Sequence, residues 1–298
     1  MKHLTAFLTA VGAAAVLCAQ SPGVRELELP HPPDSMTEPR DRADFLVAHF
    51  WDNLDTADTT LTHSPEFIES NFATYATIFP ICNLDSVLPP AATALLAKAH
   101  GDSQFFSLLV NTADKYLYDP YSPVANEAAY AVFLEAILAD SCLDPTVRPR
   151  FEMQRADIAK NAPGTPATDF DITLRSGGET TLHALLGGAP RTLLLFYDPD
   201  CHDCSVLIEE MQASPETQAA LADRRLQIVA VYPDGDEDMF AAGAGKIPAG
   251  WTDGMNTGGA IFEQELYNIR HTPSVYLLAP DATVLARDIP LADILQML

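Results

Sequence analysis

The hydrophobic pattern changes character near the middle of the chain. In the first half, apolar residues recur three and four apart, as they do along one face of a helix. Phe45, Leu46, Phe50 and Leu54, together with His49, share such a face. Further helices are predicted over residues 64–78, 91–100, 102–118, 125–140 and 146–160. The first of these opens on Ser64-Pro65-Glu66, a cap followed by proline in the first turn. This stretch has little strand character, so a bundle of five or six helices is expected. Residues 20–40 are proline-rich, as in Leu29-Pro30-His31-Pro32-Pro33, and lack apolar periodicity, which predicts an extended leader.

Asn161-Ala162-Pro163-Gly164-Thr165-Pro166 punctuates the chain, and a different pattern follows. Strand-like runs over 169–174 and 180–182 flank Ser176-Gly177-Gly178, a hairpin signal. Short apolar runs at 192–197, 226–232, 274–279 and 283–287 then alternate with helical stretches at 204–213, 215–222, 260–267 and from Pro290 onward. Such alternation predicts an α/β domain: a central mixed sheet flanked by helices, preceded by an all-α domain. The expected division is 1–19, 20–40, 41–161 and 162–298.

Residues 1–19 carry Lys2 and His3 and then an apolar stretch from Leu4 to Ala19, the form of a secretory signal. Cleavage near Ala19 predicts an exported, periplasmic protein with no membrane span once the signal is removed. Cys18 follows Leu17 rather than a small residue, so a lipid-anchored form through Cys18 is the lesser alternative. The chain has 41 acidic against 17 basic residues, a formal charge of −24, and the excess is shared by both halves. Such a surface repels phosphate backbones and anionic lipid headgroups, which argues against nucleic-acid binding.

Export sharpens the meaning of five cysteines. Cys201-His202-Asp203-Cys204 stands directly after the apolar run Leu193-Leu194-Leu195-Phe196-Tyr197 and directly before a helical stretch. A thiolate at a helix N-terminus faces unpaired backbone N–H groups and the positive end of the dipole. A second cysteine three residues on lies one turn away, where it can resolve a mixed disulfide. These residues therefore predict a redox dithiol, with Cys201 attacking and Cys204 resolving. A zinc site is disfavoured, because no second C-x-x-C exists and neither His183 nor His271 has ligand-like spacing to another donor. Neither metal nor cofactor is called for. Asp198, Asp200 and Asp203 disfavour the thiolate while His202, when protonated, favours it, so a reducing poise is expected. Whether Cys82 and Cys142 are bridged is left open.

The remaining candidates have plainer readings. Asp234-Gly235-Asp236-Glu237-Asp238 begins like a calcium loop but has Met239 and Gly245 where Gly and Glu are needed, and reads as a loop and helix start. His49, His63, His100 and His183 read as packing or surface residues. Tyr116, Tyr118 and Tyr121 read as packing at a helix end.

The order of hairpin, apolar strand, Cys201-His202-Asp203-Cys204, helix, strand and His271-Thr272-Pro273-Ser274 resembles the thioredoxin-like exported oxidoreductases of the TlpA and ResA type. The resemblance implies a cis-proline at Thr272-Pro273, with the Thr272 backbone beside the cysteines as a substrate-binding edge. It implies disulfide-containing envelope proteins as substrates and an upstream membrane thiol reductant as electron donor. The first half, with His49-Phe50-Trp51-Asp52 and Lys115-Tyr116-Leu117-Tyr118-Asp119-Pro120, resembles a helical domain of unknown function fused ahead of such modules. Two departures stand out: Asp200 replaces the tryptophan that many relatives have, and Leu195 falls where thioredoxin has a buried acid. A peroxidase needs Ser or Thr where this chain has Asp198. An envelope binding protein, with the helical domain as receptor and the second domain as scaffold, is the alternative from another class.

Overall fold

The computed structural model describes residues 25–298. The expected signal over 1–19, Cys18 and the first residues of the leader lie outside them. The chain divides into two compact units after Arg155.

The first unit is helical: α1 (Pro39–His49), α2 (Thr59–Thr62), α3 (Pro65–Ala76), α4 (Leu84–Ala97), α5 (Ser103–Ala113), α6 (Glu127–Ala139) and α7 (Arg148–Ala159), the last continuing into the second unit. Side chains set the starts. Ser64, Asp102 and Asn126 accept hydrogen bonds from the backbone N–H groups of Phe67, Phe105 and Ala129 at 3.2, 3.0 and 2.9 Å, satisfying donors that a helix start leaves open. Phe50, Phe72, Tyr75, Phe79 and Phe133 form a connected set of buried rings, with centroid separations of 4.8–6.4 Å. Residues 25–33 form neither helix nor strand and are fastened to this unit, for the buried Leu27 donates its N–H to Asn71 Oδ1 at 2.9 Å.

Two helix limits differ from expectation here. Helix α4 begins at Leu84 rather than at residue 91, carrying Pro89 and Pro90 inside it. Prolines in a helix interior remove hydrogen bonds and normally end it, but Leu88, Ala91, Ala92, Leu95 and Leu96 on one side are all buried, and that packing outweighs the loss. Helix α5 runs to Ala113, and residues 114–118 continue it as a wider π turn.

The second unit is a seven-stranded sheet in the order β2-β1-β5-β4-β3-β6-β7. Its strands are β1 (Asp171–Leu174), β2 (Glu179–Thr181), β3 (Arg191–Phe196), β4 (Leu226–Tyr232), β5 (Thr252–Asn256), β6 (Ser274–Leu278) and β7 (Val284–Arg287). β3 pairs in parallel with β4 and antiparallel with β6, so the sheet is mixed. Successive residues of β3 point to opposite faces. Leu193, Leu195 and Tyr197 enter one core with Ile208, Met211, Ala220 and Ile294, while Leu194 and Phe196 enter another with Phe170, Leu182, Ile261 and Tyr267. Helices α9 (His202–Ala213), α10 (Pro215–Ala222) and α13 (Leu291–Gln296) cover the first face; α8 (Leu182–Leu185) and α12 (Ala260–Glu263) lie on the second. A further short helix, α11 (Glu237–Ala242), begins after Asp236.

Strand β5 is absent from the sequence prediction, which also ran α12 to residue 267. Thr252-Asp253-Gly254-Met255-Asn256 has neither an apolar run nor alternation, and its place is set by partners on both sides, β4 in parallel and β1 antiparallel. Helix α12 stops because Glu265 takes a left-handed φ of 50°, which turns the chain so that Tyr267 enters the core.

Candidate active site

Cys201 is the N-cap of α9, and its sulfur accepts the Cys204 backbone N–H at 3.1 Å. The Asp198 carbonyl accepts the Cys201 N–H at 3.1 Å, and the Asp198 carboxylate accepts the Asp200 N–H at 2.7 Å. The turn leaving β3 is thereby closed on itself and delivers Cys201 to the helix start. Cys204 points inward and is 1% exposed; Cys201 is only partly covered. Burial, followed by the neighbouring Cys201 sulfur, pushes the Cys204 thiol up to about 12, against opposing contacts from the Asp198 backbone and the Thr272 side chain. The two sulfurs are thus unequal in access.

The four residues singled out by sequence come together. The Thr272–Pro273 bond is cis, and the Cys201 thiol donates to the Thr272 carbonyl at 3.3 Å. Leu195 is fully buried in the core that also holds Cys204. On the same face the Tyr197 hydroxyl donates to Asp253 at 2.9 Å, and Asp253 also binds the Arg175 guanidinium, which lies 3.6 Å over the Phe240 ring.

The charges around Cys201 include one that sequence reasoning missed. Lys246 donates to the Pro199 carbonyl and lies 3.6 Å from the Asp200 carboxylate. It offsets one of the three acids counted beside the dithiol. Gly243 lets this loop approach, since a Cβ there would stand 2.9 Å from Pro199 Cβ. The available signal was composition: Lys246 is the sole lysine after residue 161.

The other candidates sit apart from the dithiol or in plain roles. Asp236 caps α11, accepting from the Asp238 and Met239 N–H groups. His49, His63 and His100 each contact a carboxylate, of Asp52, Asp102 and Asp140, at 2.8, 2.6 and 2.9 Å, and His183 contacts the Ala167 carbonyl at 2.8 Å. Tyr118 stacks on Tyr130, Tyr116 reaches Glu69, and Tyr121 is 79% exposed. Cys82 is buried and Cys142 exposed, and both are free thiols.

Residues 6–161 match the family described as a domain of unknown function, DUF5106, and residues 179–298 match the thioredoxin-like domain. Among solved structures, a thioredoxin-like protein from Bacteroides caccae is 32% identical, with 92% of this chain and 98% of that chain covered and a TM-score of 0.83. The C-terminal domain of an uncharacterized protein from Bacteroides fragilis is 36% identical over 47% of this chain and 99% of its own, with a TM-score of 0.45. No curated protein matches. On a match spanning just over half its length, and on its likeness to the B. caccae protein over 92% of the chain, the chain belongs to the DUF5106 family and carries a thioredoxin-like domain in its second half.

Proposed function

We propose that this protein is an exported thiol–disulfide oxidoreductase that reduces disulfides in other envelope proteins. Support for a redox role comes from the thioredoxin-like domain, and one observation carries the finer reading. The Cys201 sulfur, partly accessible at the N-terminus of α9, lies 3.3 Å from the Thr272 carbonyl while its partner Cys204 is buried one turn below. The Cys201 thiolate attacks a substrate disulfide, forming a mixed disulfide and releasing one substrate thiolate. Deprotonated Cys204 then attacks the Cys201 sulfur, closing the intramolecular disulfide and releasing the second substrate thiol. Two electrons leave the dithiol, and an upstream membrane dithiol restores them. The Thr272 backbone serves as the edge on which an extended substrate segment pairs.

The export assignment rests on residues 1–19. Among the described residues no helix is long and apolar enough to cross a membrane.

The deciding experiment is a redox titration of the mature protein against glutathione or dithiothreitol, read by thiol alkylation, together with substrate trapping. A reversible two-electron transition is expected at a reducing potential, nearer the roughly −270 mV of thioredoxin than the −120 mV of a strong oxidant. A value above about −150 mV would remove the reductase reading. Cys204→Ser is expected to accumulate mixed disulfides through Cys201, and Cys201→Ser to trap none while folding normally.

A further inference from the structure

Away from the dithiol, the helical unit brings together three side chains of the kinds that hold a transition metal. His100 follows the end of α4, with its N–H on the Ala97 carbonyl at 3.2 Å. Asp140 is the C-cap of α6, and Cys142 stands two residues further on. One ligand atom from each, imidazole nitrogen, carboxylate oxygen and thiol sulfur, lies within 4.8 Å of the other two. His100 Nε2 and Asp140 Oδ2 are 2.9 Å apart. Two ligands at bond lengths of about 2.0–2.3 Å on a tetrahedral ion are separated by roughly 3.3–3.8 Å. A cation can therefore enter with only a small opening of the cluster.

The cluster is also oriented before any ion arrives. Asp140 Oδ1 accepts the Cys142 N–H at 2.8 Å, which holds Oδ2 toward His100 and brings the cysteine back over the same carboxylate. Supporting hydrogen bonds of this kind aim a ligand at its metal. The Asp140 side chain is only 10% exposed, so its carboxylate is held in place by the packing around it. Helices α4 and α6 both end here, and the negative ends of two helix dipoles favour a positive charge.

We propose that His100, Asp140 and Cys142 form a binding site for a divalent cation of the zinc type, with three protein ligands and an open fourth position. The donor set selects the ion: magnesium and calcium take oxygen ligands, whereas nitrogen and thiolate suit zinc and its borderline-soft neighbours. Binding converts the Cys142 thiol to a thiolate and releases its proton. The sequence offered no such reading, because forty residues separate His100 from the other two ligands.

The test uses the full chain with Cys201 and Cys204 replaced by Ser, so that the dithiol cannot compete for metal. Cobalt(II) is the probe, read by its thiolate-to-metal charge-transfer absorption, and zinc is then used to displace it. One equivalent is expected, with affinity at least ten-fold lower in His100→Ala and in Cys142→Ser, each checked for unchanged helix content by circular dichroism. Zinc is also expected to shield Cys142 from alkylation in the parent chain, a readout that needs no further variant. Absence of the charge-transfer band, or cobalt uptake that His100→Ala leaves unchanged, overturns the proposal.

Discussion

Two sulfurs three residues apart differ because one caps a helix and the other is folded beneath it. Cys201 accepts a backbone N–H at 3.1 Å, while Cys204 is buried and pushed up to about 12. At neutral pH, iodoacetamide is therefore expected to modify Cys201 first in the reduced protein and to leave Cys204 unmodified until the pH is strongly alkaline. Peptide mapping after timed alkylation checks this, and equal modification of both cysteines would contradict it. Lys246 sets the ground state of the same loop by holding the Pro199 carbonyl beside Asp200. A partly exposed pair of this kind is worth about 0.2–1 kcal/mol. Lys246→Met is expected to slow Cys201 alkylation by up to about five-fold, with Lys246→Arg retaining most of the rate. A faster reaction in the Met variant would refute this role.

The elements show why some of the fold was legible and some was not. Strands β3, β4 and β6 are apolar runs buried on both faces, and their sequences announce them. Strand β5 contributes no such run; it exists because β4 and β1 offer ladders on its two sides. Gly254 makes that fit, since a Cβ there would come 2.4 Å from the Ile172 side chain and 3.2 Å from the Thr173 carbonyl. Gly254→Ala is thus expected to destabilise the protein by about 1–3 kcal/mol through overpacking, measured as a lower urea midpoint at constant slope. An unchanged midpoint would mean that β1 yields readily. Helix α4 makes the same point from the other side, because it starts seven residues before the predicted position, carrying Pro89 and Pro90 inside it with Leu88 buried.

At the scale of the whole molecule, several buried acids of weak strength make stability depend on alkaline pH. Burial raises the Cys82 thiol to about 11, Cys204 to about 12 and the Tyr232 hydroxyl to about 12. In the unfolded chain these groups ionise near 8.5 for cysteine and about 10 for tyrosine. Their contribution to stability is full below the unfolded values and is lost as pH rises through the folded ones. Urea midpoints are expected to fall steadily between about pH 9 and 12. The fall is expected to be shallower once Cys201 and Cys204 are oxidised, because Cys204 then has no proton to lose. Identical slopes in the two redox forms would exclude the Cys204 share. The sequence by itself determined the helical first half, the α/β second half and the Cys201–Cys204 dithiol, because periodicity, capping and short motifs are local properties of the chain, whereas the place of Thr272-Pro273 beside the dithiol was implied by family resemblance alone. Tertiary structure alone decided the place of β5, the burial that separates Cys204 from Cys201, the Lys246 tether, and the meeting of His100 with Asp140 and Cys142. Each of these depends on residues distant in sequence being held at contact distance, which no local pattern encodes.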